Sequence, residues 1–383
     1  MADSKLFQPI SLGDITLKHR AVMAPLTRFR ADENHVPRAH VREYYSQRAS
    51  VPGTLLITEA TFIAPRAGGY NYVPGIWSEE QIAVWKQITD SVHAKGSFIY
   101  LQLWALGRAA RPAELHAEDP SLPYVSASDI PLGGRPATEI KPRPLSVQEI
   151  HEYAELYATA ASNAVHKAGF DGVEIHSANG YLLDQFLQDV SNVRTDAYGG
   201  GPENRCRFTL EVVDAVVAAV GPKKVGIRIS PWNTYQNMGM AHPKPTFAYL
   251  VGEILERHPE FAYIHAIEPR VDSITLRPVI PPGWSNDFLR DIWVSPTSGR
   301  RFISAGGYDR PLALEFADNK NDIIAFGRHF ISNPDLPHRL LHDIALTEYD
   351  RKRFYGPNNL DPKGFTDYPF ADDKAPGPLQ SRL

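Results

Sequence analysis

The sequence predicts an α/β protein of the (β/α)8 TIM-barrel class, on three observations. Eight short β-rich runs recur along 383 residues. They are apolar throughout rather than alternating, as strands buried on both faces of a parallel sheet are. Most are followed by a helical pattern, and eight β–α units in a chain of this length favour a closed barrel over an open doubly wound sheet.

The runs, in order, are Ala21–Met23, Leu55–Ile57, Phe98–Leu101, Gly172–Ile175, Val225–Ile229, Phe261–Ile264, Phe302–Ser304 and Ile323–Phe326. Between the second and third, Ser78 to about Lys95 is expected to be helical. Val147 to about Ala168 is another helix, stopped by Gly169 just before the fourth strand. Pro202 and Glu203 open a helix that runs to Val220, with Gly221 as its stop. Cys206, Leu210, Val213 and Val217 share a face of it, which places the lone cysteine against the barrel wall. Three segments exceed the bare barrel. Residues 6–20 read as a hairpin turning at Gly13-Asp14, able to plug the bottom. Residues 108–146 are proline-rich and follow strand three; residues 269–300 follow strand six and hold Pro281, Pro282 and Gly283. Loops this long in a compact domain are usually lids or binding loops. No internal repeat or low-complexity linker appears, so residues 1–383 are expected to form a single domain.

Composition narrows the function. Lys plus Arg is 40 against 44 for Asp plus Glu, so no domain-wide basic field exists for nucleic acid or an anionic membrane surface. No apolar run approaches a membrane span, and Met1 to Lys5 lacks the order of a signal peptide. One cysteine rules out internal disulfides, Cys-rich zinc sites and iron–sulfur clusters. A cytoplasmic protein is expected, or a peroxisomal one, because the chain closes Ser381-Arg382-Leu383, a relative of the SKL address.

Chemistry in a barrel lies at the carboxyl ends of the strands. Those ends carry Pro25-Leu26-Thr27-Arg28, Thr58-Glu59-Ala60, Gln102-Leu103-Trp104, His176-Ser177-Ala178-Asn179, Arg228 with Ser230-Pro231, Glu268-Pro269-Arg270, Ala305-Gly306-Gly307 and Gly327-Arg328. The set has no lysine for a Schiff base and no HExxH or His-x-His for a metal hydrolase. Gly306, Gly307 and Gly327 either make tight turns or, with Arg328 beside them, cradle a phosphate as the last two loops of barrels do. Thr27 and Gln102 can bond ring carbonyls and imides. Arg228 is either a cation beneath a bound ring or half of a buried ion pair with Glu59 or Glu174. A phosphate-tethered ring over a cation that stabilises its anionic reduced form describes FMN. His176 and Asn179 supply two donors for a carbonyl oxygen, and Tyr181 a nearby phenol able to deliver a proton.

These residues stand in stretches that resemble the Old Yellow Enzyme family of FMN-dependent ene-reductases, NADPH dehydrogenases that include the plant oxophytodienoate reductases. The stretches are Ala24–Arg28, Pro65–Tyr70, Gln102–Trp104, Gly172–Leu183, Asp196–Gly200, Glu203–Arg205, Phe326–Arg328 and Ile331–Pro334, and the likeness spans nearly the whole chain. The resemblance implies FMN bound tightly but not covalently, with Thr27 at its C4 carbonyl, and Pro25, Ala60 and Gln102 around the ring. Arg228 would face N1 and the C2 carbonyl; Gly306, Gly307, Gly327 and Arg328 would hold the phosphate. NADPH would reduce the flavin and leave. An enone or enal would then take its place, its oxygen on His176 and Asn179, receiving hydride at the β carbon and a proton from Tyr181 at the α carbon. Trp104, Tyr70, Phe354 and Tyr355 are pocket walls or core aromatics. Asn179 departs from relatives with two histidines, Thr27 from those with a modulating thiol, and Tyr181 from those that lost the tyrosine and isomerise. Family members are monomers or homodimers, either of which fits this chain. The rival readings are a barrel glycosidase using Glu59, Glu174 or Glu268, and a barrel that binds flavin without turnover.

Overall fold

A computed structural model describes residues 3–272, 275–294 and 299–371; the terminal Ser381-Arg382-Leu383 lies outside the described residues. The barrel strands are β1 (Ala21–Met23), β2 (Leu55–Ile57), β3 (Phe98–Trp104), β4 (Gly172–Ser177), β5 (Val225–Ile229), β6 (Tyr263–Ile267), β7 (Arg301–Ala305) and β8 (Ile323–Phe326). All pair in parallel around the order β2-β1-β8-β7-β6-β5-β4-β3, and β2 pairs with β3 to close the ring. The sixth strand starts two residues later than expected, because Phe261 first turns back onto His258 and Ala262 bonds Val225.

Around the barrel lie α1 (Ala39–Arg48), α2 (Glu79–His93), α3 (Val147–Ser162), α4 (Pro202–Val220), α5 (Pro243–Arg257), α6 (Asp287–Trp293), α7 (Arg310–Lys320) and α8 (Leu336–His342). Their ends follow local chemistry. Ser78 with Gln81, and Ser146 with Glu149, form capping boxes at the starts of α2 and α3. Gly221 ends α4 at φ 86°. The third helix stops at Ser162 and continues as a π-helical turn, Asn163–Lys167, where the Asn163 amide donates to the Ile76 carbonyl. Cys206, Leu210, Val213 and Val217 are all buried, and the Cys206 thiol, pushed up by burial, points at the Thr246 carbonyl.

The hairpin Ile10–Leu12/Ile15–Leu17 plugs the barrel floor. Its four apolar side chains pack with Val22, Leu55, Tyr100, Tyr263 and Ile303. Each such fully buried aliphatic contributes roughly 1.5–3 kcal/mol. Outward residues such as Leu101, Ile175 and Ile227 join the larger helix-facing core. Inside, glycine makes the space for rings: a Cβ on Gly172 would stand 2.5 Å from the Tyr100 ring, and one on Gly226 2.2 Å from the Tyr263 ring. Above that tyrosine layer the inward residues turn polar, namely Gln102, Glu174, Arg228 and His265.

Two of the segments beyond the bare barrel differ in content from expectation. The segment after β3 holds a short helix, Pro112–Glu118, and a two-residue pairing of Val125–Ser126 with Arg143–Pro144. Residues 269–300 are not all loop: after a small ladder of Val271–Asp272 with Thr275–Leu276, they contain α6 itself. Prolines at 281 and 282 delay that helix, which is why the pattern read as a long loop.

Candidate active site

Every site residue singled out from the sequence lines one cavity of about 1030 Å³ at the carboxyl end of the barrel. Pro25, Thr27, Ala60, Gln102, Trp104, His176, Asn179, Tyr181 and Arg228 form its depth. Gly306, Gly307, Gly327 and Arg328 form one end, and Tyr70, Phe354 and Tyr355 reach it from loops and the C-terminal segment. By strand order β4 stands across the barrel from β8, so the His176 wall faces the Gly327-Arg328 end.

Register builds the floor. Gln102 pairs with Glu174 across β3 and β4, and Arg228 pairs with His176 on one side and His265 on the other. The Gln102 Nε2 donates to Glu174 Oε1 at 2.7 Å, and His265 Nδ1 donates to Glu174 Oε2 at 2.8 Å. Gln102 therefore offers its oxygen to the cavity, which suits a ring N–H, the imide part of the expectation that it bonds ring carbonyls and imides. Arg228 is not in a salt bridge with Glu59 or Glu174 among the described residues. Its Nε is buried without a partner, while Glu59 accepts from the Arg28 amide at 3.1 Å.

The wall is a set of aimed donors. His176 Nδ1 accepts from the Ala178 amide at 3.3 Å, which leaves the ring proton on Nε2. Burial, then the charges of Arg228 and His265, hold His176 well below its ordinary pKa, so the ring is neutral. Asn179 sits at φ 57° and is followed by Gly180 at φ 76°, a left-handed pair that Asn and Gly tolerate. Its amide donates to Ser230 Oγ at 2.8 Å, its carbonyl accepts from Gln236, and its side-chain oxygen accepts from Asn233 Nδ2 at 2.7 Å. The Asn179 Nδ2 group is thus left as donor. Tyr181 caps the short helix Leu182–Leu187, and its ring stands edge-on to Trp104 (4.7 Å) and His176 (5.0 Å). Burial raises the phenol well above 10, so it stays protonated.

At the opposite end Gly306 and Gly307 have φ of 133° and 66°, and a Cβ on Gly307 would meet Leu276 Cδ2 at 2.4 Å. Gly327 has negative φ and needs no glycine for its backbone; it precedes Arg328. The Arg328 guanidinium donates to Tyr349 Oη at 3.2 Å. The nearby carboxylate of Asp309 is occupied capping α7. A bare glycine loop beside an arginine, an unpartnered buried guanidinium nitrogen and an outward amide oxygen fit the phosphate and the ring of FMN.

The aromatics divide. Trp104 is both core and wall, stacked on Phe62 at 5.2 Å, whereas Tyr355 is 53% exposed at the rim. The glycosidase carboxylates do not line the cavity: Glu174 is locked as above, and Glu268 is bound to Arg290 and Ser304.

The sequence assigns no role to several site-building residues. Gln185 joins the Leu106 and Gly180 carbonyls to the Arg108 amide and Ser126 hydroxyl, tying two loops together. Ser230, Asn233 and Gln236 orient Asn179 from the loop after β5. Arg28, fully buried, donates to the Phe354 and Gly364 carbonyls and draws the C-terminal segment over the mouth. Ser230 and Arg28 stand at strand ends, where a polar residue beside the chemistry is a usable signal; Gln185 and Asn233 carry none.

Residues 5–347 match the family described as NADH:flavin oxidoreductase / NADH oxidase. Chanoclavine-I aldehyde reductase from Penicillium roqueforti is 50% identical over 374 residues, 96% of this chain and 97% of its own. A probable inactive dehydrogenase from Claviceps fusiformis is 45% identical over 381 residues, 97% of this chain and 96% of its own. The crystal structure of Old Yellow Enzyme from Pichia superposes with a TM-score of 0.86 at 39% identity, over 100% of this chain and 97% of that one. The chain belongs to the NADH:flavin oxidoreductase family, as an oxidoreductase of the Old Yellow Enzyme type.

Proposed function

We propose that the protein is an FMN-dependent ene-reductase that uses NADPH to saturate the activated C=C bond of an α,β-unsaturated carbonyl compound. One observation carries the reading: two oriented N–H donors, His176 Nε2 and Asn179 Nδ2, and a protonated phenol, Tyr181, share one wall of a cavity that ends in an anion cradle.

The cradle of Gly306, Gly307, Gly327 and Arg328 would hold the FMN phosphate. Thr27, Pro25 and Ala60 would flank the ring, with the Gln102 oxygen meeting a ring N–H and Arg228 lying against its electron-rich edge. When bound, the flavin supplies hydride to the substrate's β carbon. The residues do the rest. His176 and Asn179 hold the carbonyl oxygen, and their bonds strengthen as enolate charge develops, so they favour the transition state over the bound substrate. Tyr181 protonates the α carbon; a phenol held above its ordinary pKa releases its proton to an enolate and not to water. Trp104, Tyr70, Phe354 and Tyr355 exclude water from the reacting face.

A barrel that binds flavin without turnover is the second reading, favoured by the name of the Claviceps relative. NADPH oxidation under anaerobic conditions separates the two: it should depend on an added enone such as cyclohexenone. Tyr181→Phe should slow enone reduction by about 10²-fold or more while leaving flavin reduction by NADPH intact. Equal loss in both half-reactions would contradict the proton-donor role.

A further inference from the structure

The buried Glu174–His265 pair beneath the cavity belongs neither to the substrate wall nor to the cradle. Both side chains have no exposure, and they flank β5, with Glu174 level with Gly226 and His265 level with Arg228. A carboxylate there would be a poor choice for packing alone, since its desolvation is costly unless every lone pair is used. Here each oxygen has one donor, and each donor leads somewhere. Oε1 holds Gln102 Nε2, which turns the other end of that amide to the cavity. Oε2 holds His265, whose opposite nitrogen is buried without a partner. Glu174 also faces the charge of Arg228, and Glu174 is pulled below the ordinary carboxylate range: burial raises it, but His265, Arg228 and Gln102 together outweigh burial.

Two consequences follow. A ring edge that alternates carbonyl and N–H needs an acceptor opposite its N–H, and an amide free to flip would present either end. Gln102 cannot flip without placing its oxygen against the Glu174 carboxylate. Secondly, Arg228 is the register partner of His265, and Glu174 is the carboxylate whose charge acts on it. An uncompensated guanidinium would favour the electron-rich reduced flavin more strongly than a compensated one.

We propose that Glu174 is a positioning residue that fixes Gln102 as an acceptor and offsets Arg228, and thereby sets both the affinity and the midpoint potential of the flavin. This rests on the FMN reading above. The test uses FMN-loaded full-length protein, with the potential measured by dye-equilibrated titration and FMN affinity by fluorescence of released flavin. Glu174→Gln removes the charge and keeps an oxygen for Gln102. Its reduced flavin should be held about tenfold more tightly relative to oxidised flavin, a positive shift of about 30 mV for a two-electron couple. Glu174→Asp keeps the charge but retracts the carboxylate by one methylene, so the FMN dissociation constant should rise about tenfold with the potential unmoved. Wild-type potential in Glu174→Gln together with wild-type affinity in Glu174→Asp would overturn the proposal. If Glu174→Gln fails to fold, the FMN dissociation constant of Glu174→Asp decides alone: a rise supports the proposal, and no change refutes it. A wild-type chain that takes up no FMN would instead overturn the flavin reading, and this inference with it.

Discussion

Replacing Asn233 by leucine isolates how the substrate wall is aimed. Asn233 donates to the Asn179 side-chain oxygen, and without it the Asn179 amide can rotate its oxygen toward the substrate carbonyl. A typical hydrogen bond nets about 0.5–1.5 kcal/mol, so kcat/KM for an enone should fall roughly 3- to 10-fold, with kcat lowered because the bond matters most in the transition state. Steady-state kinetics at saturating NADPH checks it. His176 and Asn179 were legible because they stand at a strand end within a distinctive run, His176-Ser177-Ala178-Asn179-Gly180-Tyr181. Asn233 was not, because the loop that brings it to Asn179 is a tertiary event with no local pattern. Gln102 was legible as a site residue, but the direction of its amide was not, since that is decided by Glu174 on the neighbouring strand.

At the scale of elements, the eight strands and the helices α2, α3 and α4 could be placed to within a few residues, because apolar runs, capping serines and stop glycines are local signals. The short sixth helix was hidden behind Pro281-Pro282, and the C-terminal segment over the mouth had no periodicity to read. Arg28 is what docks that segment, stacking on Tyr44 and Phe365 while donating to the Phe354 and Gly364 carbonyls. Arg28→Met retains the packing and leaves those carbonyls unpaired, which should destabilise the fold by about 2–4 kcal/mol. Limited proteolysis should then cut within residues 354–364 under conditions that spare the wild type. The cradle loops after β7 and β8 make a second prediction. Gly307→Ala forces a Cβ onto Leu276 at φ 66°, and Arg328→Ala removes the guanidinium; both should lose FMN on dialysis, whereas unchanged flavin content in both would contradict the phosphate assignment.

The barrel as a whole holds ionisable groups that were buried at some cost, and these shape its stability against pH. Burial pushes Glu59 up to about 7, with the Arg28 amide and charge opposing that shift. Because the folded state keeps its proton longer than the unfolded chain does, the penalty is absent at low pH. It grows as pH rises from about 4.5 to 7 and is constant above. Glu59→Gln should therefore be more stable than wild type at pH 8, on the order of 2–3 kcal/mol, with the difference shrinking toward pH 4.5; urea melts at the two pH values check the sign. His19 works from the other side. Burial lowers it to about 4, so stability is lost as pH falls from about 6.5 to 4. The barrel mouth is proposed to hold FMN and to pass electrons from NADPH to an enone. The visible spectrum of the purified protein, taken anaerobically, tests it most directly. A yellow protein that bleaches with NADPH and regains its colour on addition of cyclohexenone is the expected result. A colourless protein that FMN cannot reconstitute would contradict it.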